Sequence, residues 1–465
     1  MSAGDGVGFA IDPAKVREWK RYPEYTDSGV EWLGEVPAGW ELKRLKYYCQ
    51  MNPSKSEVSS VPKDTQVSFL PMELIGEDGA LSLSQNRLIE DVWEGYTYFR
   101  DGDVVIAKIT PCFENGKGAL CDDLKNGIAF GTTELYVLRP QDKVTPEFLF
   151  LVTRSQPFRK IGADFMTGTA GQKRVPDDFI RNFLIGVPPL PEQQAIAAFL
   201  DRETARLDAL IEKKQRFIEL LEEKRQALIT QAVTKGLDPD VEMKDSGVEW
   251  LGEVPVGWVV SRLGLISESL QTGPFGSQLH SSDYIEDGIP VINPSNIRDG
   301  AVVPDPKCTV DDKTLKRLKR HRLAEGDIVF ARRGDMGRCA SINSETEGFL
   351  CGTGCIRIRL NQNTYPEFLR AYLSTPGVKS YLLVESVGST MDNLNTNILS
   401  RVPIVSPSFD EQKTIMKNLS ARINKVDKIF LNVKESIEKL HEYRTALISA
   451  AVTGKIDVRS EVDAT

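Results

Sequence analysis

The residues in this sequence that are best suited to chemistry are lysines and arginines in short loops. One loop, RRGDMGR at 332–338, follows the apolar run 328–331, and Lys108 follows the apolar run 104–107 in the same way. Arginine can donate two hydrogen bonds to guanine or bracket a phosphate, so these loops favour contact with nucleic acid. For any single residue the alternative is a solvated surface charge. Seven residues are candidates for DNA contact: Lys108, Lys117, Lys173, Arg174, Arg332, Arg333 and Arg338.

The sequence carries none of the motifs on which common catalytic sites depend. It has no GxxxxGK[ST] phosphate loop, no GxSxG nucleophile turn and no HExxH zinc motif. Asn-Pro-Ser at 52–54 and 293–295 faintly resembles the Asn-Pro-Pro-aromatic motif of adenine methyltransferases, but the second proline and the aromatic residue are missing. A turn is the simpler interpretation. Cys351 and Cys355, in a chain with three histidines, are weak support for a metal site. We therefore predict no catalytic residue, no metal and no cofactor on this chain.

Composition and charge restrict the class of protein. With 41% hydrophobic and 27% charged residues over 465 positions, the sequence is typical of a globular protein with a sizeable core. No apolar stretch reaches the ~18 residues of a membrane span, and the first residues lack a signal-peptide pattern, so we expect a cytoplasmic protein with no membrane partner. The net charge of −8 is not that of a strongly basic DNA binder. Contact with DNA would need local basic residues, or phosphate contacts from another subunit.

Two stretches of the sequence have the pattern of long helices with a heptad seam. Residues 192–233 contain no glycine and no proline, are rich in good helix formers, and repeat apolar residues at alternating spacings of four and three. Residues 410–452 repeat the pattern, so that Ile196 corresponds to Ile415, 219 positions later (415 − 196 = 219). We predict that the two helices pack on each other as a coiled coil. The alternative is that each packs separately on a globular core.

A second repeat indicates that the chain is a tandem duplication. Asp27–Pro37, DSGVEWLGEVP, recurs letter for letter as Asp245–Pro255, 218 positions later (245 − 27 = 218). The linker Leu237–Asp240 resembles Ile11–Ala14 near the N-terminus, as if a ring had been opened within that linker. We therefore predict a circular organisation with pseudo-twofold symmetry, in which the two ends of the chain lie close together.

The repeat continues past Pro37 and Pro255 as SGVEWLGEVPxGW, and this longer motif holds four of the six tryptophans: Trp32, Trp40, Trp250 and Trp258. Such an aromatic pair could stack on nucleic-acid bases. It could also attach a domain to the helices by burying aromatic area. We favour the structural interpretation, because a motif that is identical in both halves cannot explain any difference between them.

Between the repeated elements lie two diverged segments, module 1 (41–187) and module 2 (259–405). They share landmarks such as Gly102-Asp103 in the first and Gly326-Asp327 in the second. Short apolar runs that are typical of β-strands occur at 67–70, 104–107, 135–138, 289–292, 328–331 and 356–359. We predict that each module is a small α/β (or α+β) domain with a twisted sheet. We call the repeated motif and the two long helices the frame. Two diverged modules in a duplicated frame indicate two copies of one task on two different targets.

Along essentially its full length the sequence resembles the specificity subunits of type I restriction–modification systems. The resemblance rests on the repeated DSGVEWLGEVPxGW segments, on PPLPEQ at 188–193, and on the helix ends ALITQAVTKG and ALISAAVTGK. One departure is the start of the second helix, where Pro407–Gln412 replaces the prolines of the first copy and carries one extra residue.

The resemblance implies two target-recognition domains, separated by two long antiparallel coiled-coil helices, that each read half of a bipartite site. It implies a non-catalytic subunit that binds double-stranded DNA, two methyltransferase subunits and restriction (translocase) subunits, with S-adenosylmethionine, ATP and Mg²⁺ on those partners. A coiled-coil scaffold with two protein-binding modules is the alternative from another class. The chain would divide into an N-terminal segment completing the repeat frame (1–40), target-recognition domain 1 (41–187), the central helix (188–236), the linker with the repeated motif (237–258), target-recognition domain 2 (259–405), and the C-terminal helix and tail (406–465).

Overall fold

The computed structural model describes residues 19–169, 171–334, 337–386 and 394–461. The chain forms two compact units, unit 1 from Met1–Gln215 with Lys434–Thr465, and unit 2 from Arg216–Val433. Each unit therefore contains one module together with part of both predicted helices. The segment 11–14, which contributed to the predicted circular organisation, lies outside the described residues.

Two long helices form where the heptad pattern predicts them. The first long helix is Leu190–Lys235 and the second is Phe409–Val452. The first helix is followed by Gly236, whose φ of +76° is the left-handed conformation that glycine adopts readily at a helix C-terminus. The predicted extents, 192–233 and 410–452, are thus correct to within two residues at each end.

In unit 2 the two long helices lie side by side and run antiparallel. Arg225 of the first helix forms an ion pair with Asp427 of the second at 3.2 Å. Four residues further along the first helix, Ile229 shares a buried core with Leu419, which precedes Asp427. Residue numbers therefore rise along one helix as they fall along the other.

The equivalent ion pair forms in unit 1 with the helices exchanged. Asp208 of the first helix lies 3.1 Å from Arg444 of the second, and each is 219 positions from its counterpart in unit 2 (427 − 208 = 219; 444 − 225 = 219). Leu200, earlier in the first helix, shares a core with Val452, later in the second. The predicted pairing of the helices is confirmed. Partly exposed pairs of this kind contribute at most ~1 kcal/mol, so we infer that they mainly fix the helix register.

Module 1 contains two four-stranded sheets, one antiparallel and one with a single parallel pair. In spatial order the antiparallel sheet is Cys49–Met51, Leu135–Pro140, Val104–Ala107 and Gly118–Leu120. The other sheet is Asn86–Leu88, Gln66–Leu70, Ile128–Gly131 and Thr97–Arg100. The α-helices of module 1 are Ile89–Val92, Pro146–Arg154, Gln156–Asp164 and Asp177–Asn182.

Module 2 repeats the strand order of the antiparallel sheet. That sheet is Ser267–Thr272, Cys355–Leu360, Ile328–Ala331 and Cys339–Ser341, so the first strand along the chain lies beside the fourth in both modules. The second sheet is Tyr284–Ile285, Thr309–Val310, Ile289–Ile292 and Leu350–Cys351, beside a ribbon of Ile297–Arg298 and Ala301–Val302. The α-helices of module 2 are Leu263–Ile266, Asp312–Arg317, Pro366–Leu373, Pro376–Ser386 and Thr396–Ser400. All six apolar runs predicted as strands lie in strands, and the mixed α/β class is confirmed.

A two-stranded antiparallel sheet joins the beginning of each module to its end. In module 1 Glu41–Arg44 pairs with Leu184–Val187, and in module 2 Val259–Arg262 pairs with Pro403–Ser406. Because the two ends of the module are held together by main-chain hydrogen bonds, the sequence between them can diverge without disturbing the attachment to the repeated frame.

Trp40 and Trp258 connect the repeated motif to the start of each long helix. Trp40 Nε1 donates to Glu192 Oε1 at 2.9 Å, and Trp258 Nε1 donates to Glu411 Oε1 at 2.9 Å. The two tryptophans are 8% and 2% exposed. A buried ring whose N–H is already bonded is not available for stacking on bases, so the structural interpretation is confirmed for Trp40 and Trp258.

The glutamine that follows each of these glutamates is equally engaged. Gln193 Oε1 accepts from the N–H of Thr145 at 2.8 Å, and Gln412 Oε1 accepts from the N–H of Tyr365 at 2.8 Å. Both glutamines are buried. The repeated Glu-Gln pair thus ties the first turn of each long helix to the tryptophan motif and to the start of an earlier helix in the module, Pro146–Arg154 or Pro366–Leu373.

Loss of either indole hydrogen bond is expected to destabilise its unit. Trp40→Phe and Trp258→Phe keep an aromatic ring but leave the glutamate without its donor, so we expect each to lower the free energy of unfolding by about 1–3 kcal/mol. Denaturant unfolding measures the change. Trp32→Phe is the control, because the Trp32 ring stacks on Phe183 at a centroid distance of 4.9 Å and a phenyl ring can keep that stack. An equal loss in the control would contradict the assigned role.

The N-terminal and C-terminal segments meet in unit 1. The N–H of Asp457 donates to the carbonyl of Lys20 at 2.7 Å. Lys455 Nζ donates to the carbonyls of Leu33 and Glu35, each at 2.7 Å. The prediction that the two ends of the chain lie close together is confirmed for the residues that the structure describes.

In each module an ion pair joins a buried aspartate, which directly precedes one strand of the antiparallel sheet, to an arginine on the neighbouring strand. Asp103 accepts from Arg139 at 2.6 and 2.7 Å, and Asp327 accepts from Arg359 at 2.9 and 2.7 Å. The two aspartates are 1% and 2% exposed. The Gly-Asp landmarks shared by the two modules are therefore structural.

Candidate nucleic-acid interface

Three of the seven candidate residues come together at the end of strand Val104–Ala107. The N–H of Val175 donates to the carbonyl of Lys108 at 2.9 Å, and the N–H of Thr110 donates to the carbonyl of Lys173 at 3.0 Å. These bonds place the segment containing Lys173 and Arg174 beside the segment that begins at Lys108.

The charges in this cluster are partly balanced. Arg174 donates to both oxygens of Glu134, at 2.8 and 2.9 Å, and this hydrogen bonding lowers the pKa of the Glu134 carboxyl. The Lys108 ammonium lies 5.2 Å from the centre of the Tyr136 ring. Lys173 is exposed. The cluster of Lys108, Lys173 and Arg174 therefore carries three positive charges against the one negative charge of Glu134.

Lys117 belongs to a different contact. Its Nζ donates to the carbonyl of Met72 at 3.1 Å, so the side chain fastens one loop of module 1 to another. Its main chain stays near the cluster, because the N–H of Ala107 donates to the Lys117 carbonyl at 3.0 Å.

Module 2 carries the corresponding loop after strand Ile328–Ala331. The N–H of Ala331 donates to the carbonyl of Arg338 at 2.9 Å, as Ala107 does to Lys117, so Arg338 takes the place of Lys117. Arg338 Nη1 donates to the carbonyl of Pro294 at 3.2 Å. The loop residues 335 and 336 lie outside the described residues.

Arg332 and Arg333 differ in their surroundings. Arg332 Nε donates to the carbonyl of Leu394 at 2.8 Å, and burial, together with the charge of Arg333, lowers the pKa of its guanidinium. Arg333 is exposed. Lys117, Arg174, Arg332 and Arg338 donate to protein acceptors, and the side chains of Lys173, Arg174 and Arg333 are exposed. Their contact with DNA stays a prediction.

Sequence reasoning missed an aromatic and basic surface on the second sheet of module 1. The ammonium groups of Lys55 and Lys63 lie 5.3 and 5.5 Å from the centre of the Trp93 ring. Close by in sequence, Tyr96 is 39% exposed and packs edge-on against Phe69. Aromatic rings flanked by cations can stack on unpaired bases. The sequence signal was the pair of aromatics around Gly95, but the lysines join them only in the fold.

The densest basic run of the sequence, 313–322, forms one amphipathic surface of module 2. It contains helix Asp312–Arg317 and the short 3-10 helix Lys319–His321. His321 is fully buried, and burial followed by the charge of Arg320 lowers the pKa of its imidazole to about 4. Arg317 pairs with Asp283 at 3.0 Å. The exposed lysines and arginines of this run thus form a solvated helix face.

In the described part of the chain, no group of three or more His, Cys, Asp or Glu side chains is arranged to hold a metal ion. No helix in that part is long and apolar enough to cross a membrane.

The family model of the type I restriction modification DNA specificity domain matches the chain twice, at residues 39–220 and 255–439. The two matches together cover more than half of the 465 residues. Each match contains one module and the first part of the long helix that follows it.

The chain is also similar in sequence to a known type I specificity subunit. The type I restriction enzyme EcoAI specificity subunit of Escherichia coli is 43% identical over 189 residues, which are 40% of this chain and 31% of that protein. The chain thus covers less than a third of the length of this curated relative.

Solved structures agree with the match as well. A chain from a study of complex assembly and conformational transition of the type I R-M system has a TM-score of 0.64 at 22% identity, covering 90% of this chain and 98% of its own. The crystal structure of the HsdS subunit from Thermoanaerobacter tengcongensis has a TM-score of 0.54 at 21% identity, covering 93% and 100%. At such identities the two structures show a shared fold. With two family matches on a duplicated chain of that fold, the protein belongs to the type I restriction modification DNA specificity family.

Proposed function

We propose that the chain is the non-catalytic DNA-recognition subunit of a type I restriction–modification complex, in which module 1 and module 2 each read one half of a bipartite site. The observation that carries this proposal is the position of the basic loops. Lys108 and Lys117 in module 1 occupy the same places on the antiparallel sheet as Arg332 and Arg338 in module 2. Equivalent loops of different sequence suit equivalent tasks on different half-sites.

The supporting contacts and the basic loops differ in how far the duplication has kept them. The tryptophan–glutamate bonds, the helix ion pairs and, within each module, the aspartate–arginine pair are the same in both halves. The basic loops are not. Because only differing residues can distinguish different bases, we assign recognition to the loops and support to the frame. Each good bidentate contact to a base discriminates by about 1–3 kcal/mol.

The net charge of the chain supports the proposal that other subunits contribute to the affinity for DNA. A net charge of −8 gives little non-specific attraction for the phosphate backbone. We propose that two methyltransferase subunits supply much of that attraction, and that restriction (translocase) subunits join them for cleavage. S-adenosylmethionine, ATP and Mg²⁺ would belong to these partners, and the complex would act in the cytoplasm. We also propose that the chain divides into the six parts expected from the sequence: 1–40, 41–187, 188–236, 237–258, 259–405 and 406–465.

A selection from random duplex DNA tests the proposed function. The full chain, mixed with its methyltransferase subunit, should enrich one motif made of two short specific segments separated by a fixed gap. The chain without partners should neither methylate nor cut DNA. Enrichment of no motif would favour the alternative, a scaffold whose modules bind proteins.

Lys173→Ala is expected to weaken binding to all DNA sequences by a similar factor. Lys173 is exposed beside Arg174, and an ammonium group is better suited to a phosphate than to bidentate contact with a base. We expect the slope of log affinity against log salt to fall by about 1. Binding of the complex to specific and random duplexes at several salt concentrations measures this, with Lys213→Ala on the exposed face of the first long helix as the control. A sequence-selective loss would contradict a phosphate contact.

A further inference from the structure

Unit 1 contains a cavity of about 470 Å³ between helices of module 1 and the second long helix. Its walls carry more positive than negative charge. The charged residues that line it are Arg154, Arg159, Lys160 and Arg444, with Glu77 and Glu114. Such a concentration of guanidinium groups around one cavity is costly unless an anion offsets their mutual repulsion.

Arg154 shows this cost most clearly. Its Nη1 is buried and has no hydrogen-bond partner among the described residues. Burial and the charge of Arg444 lower the pKa of the Arg154 guanidinium to about 10, although Asp78 and Asp208 act in the opposite direction. A buried N–H without an acceptor costs about 1–3 kcal/mol. Nη1 lies against Gly79, and a guanidinium that turns from Gly79 toward the cavity could donate to an acceptor bound there.

Arg159 adds a second charge at the same place. Its guanidinium donates to the carbonyls of Phe113 and Gly116 at 3.0 and 3.3 Å, which holds it in position without neutralising it. Its buried Nε has no partner among the described residues. Burial and the charge of Arg154 lower its pKa to about 9. Arg444 Nε likewise has no hydrogen-bond partner among the described residues, although it lies 3.1 Å from Asp208 Oδ1, whose charge offsets that of Arg444.

We propose that this cavity binds a phosphate group, supplied either by free phosphate or by the backbone of a nucleic acid. Guanidinium groups bind phosphate through parallel hydrogen bonds. A phosphate offers more acceptor oxygens than a carboxylate, and Arg154, Arg159 and Lys160 all line the cavity. Gln156 and Thr445 also line the cavity and can supply neutral hydrogen bonds. The site is separate from the basic loops and does not depend on the proposed function.

Unit 2 provides a natural comparison. The offset that relates Pro146 to Pro366 (366 − 146 = 220) relates Arg154 to Ser374 (374 − 154 = 220). Ser374 lines a groove of about 700 Å³ in unit 2 that keeps Arg225, the counterpart of Arg444, and Lys379, the counterpart of Arg159 (379 − 159 = 220). Arg154→Ser therefore introduces into unit 1 a residue that the repeated fold already carries at this position.

The test titrates inorganic phosphate into the full chain at constant ionic strength and follows heat release and the unfolding midpoint. We expect the wild type to bind, and Arg154→Ser to weaken binding by about tenfold or more, the effect of losing a charge-assisted hydrogen bond. Without phosphate, Arg154→Ser should be at least as stable as the wild type, because an unpaired buried charge has been removed. Arg154→Met, which fills more of the space, provides a second variant. Arg181→Ser, which breaks an exposed pair with Asp177, is the control and should leave phosphate affinity unchanged.

A second arm replaces phosphate with a short duplex of random sequence. Binding of phosphate alone assigns the site to a free anion, whereas duplex binding that is tighter than phosphate binding and is weakened by Arg154→Ser assigns it to a nucleic-acid backbone. Both results support the site. Equal affinities of wild type and Arg154→Ser in both arms, or no binding in either, would overturn it. So would a lower unfolding midpoint of both Arg154 variants without phosphate, because that result makes Arg154 a structural residue.

Discussion

Exchange of residues 41–187 for the same segment of another family member is expected to change one half of the recognised DNA site and to leave the other half intact. Module 1 begins and ends on one two-stranded sheet, Glu41–Arg44 with Leu184–Val187, so a replacement can be joined to the frame at a single place. The bond from Trp40 to Glu192 needs only the residues outside the exchanged segment. Loss of two bidentate base contacts would lower affinity for the original site on the order of 10²–10⁴-fold.

The reciprocal exchange of residues 259–405 is the matched control and should alter the other half-site. Selection from random duplexes, with the methyltransferase subunit present, reads both outcomes in one experiment. If either exchange changed both halves of the motif, the assignment of one half-site to each module would be wrong.

Asp103→Ala is expected to lower the free energy of unfolding of unit 1 by about 3 kcal/mol, at the low end of the range for breaking a buried ion pair. The substitution leaves the Arg139 guanidinium, whose side chain is 10% exposed, without its main partner, although Glu57 remains in contact with it. Asp327→Ala in unit 2 should cost less, because the side chain of Arg359 is 35% exposed and water can solvate it.

Denaturant unfolding of both variants measures this difference, with amide hydrogen exchange reporting on the two units separately. The double variant Asp103→Ala/Arg139→Met removes the unpaired charge and should recover part of the loss. Losses below about 1 kcal/mol in both single variants would show that the pairs behave as surface ion pairs.

The elements that the sequence predicts well are those set by local periodicity. A heptad pattern without glycine or proline specifies a helix at every turn, and the bounds of 192–233 and 410–452 follow from it. The six apolar runs become strands because their residues, such as Val104 and Ile328, are buried on both faces of a sheet. The repeated motif SGVEWLGEVPxGW predicts equivalent structure in the two halves, since its residues Trp40 and Trp258 make equivalent hydrogen bonds.

The features that the sequence leaves open depend on residues far apart along the chain. Lys117 is one example: its acceptor, the carbonyl of Met72, is 45 residues away, and no local pattern announces that contact. The lysines beside Trp93 and the arginines around the unit 1 cavity are likewise assembled by the fold. Basic residues can be recognised in a sequence, but tertiary structure decides whether each one already bonds to an acceptor within the protein.

Mapping of methylated bases in the genome that encodes this chain, with its gene intact and deleted, tests the central claim most directly. We predict one bipartite motif, two specific segments separated by a constant gap, that is methylated in the intact strain and unmethylated in the deletion. A motif that survives the deletion, or a methylated sequence without a gap that depends on the gene, would contradict the two-module account.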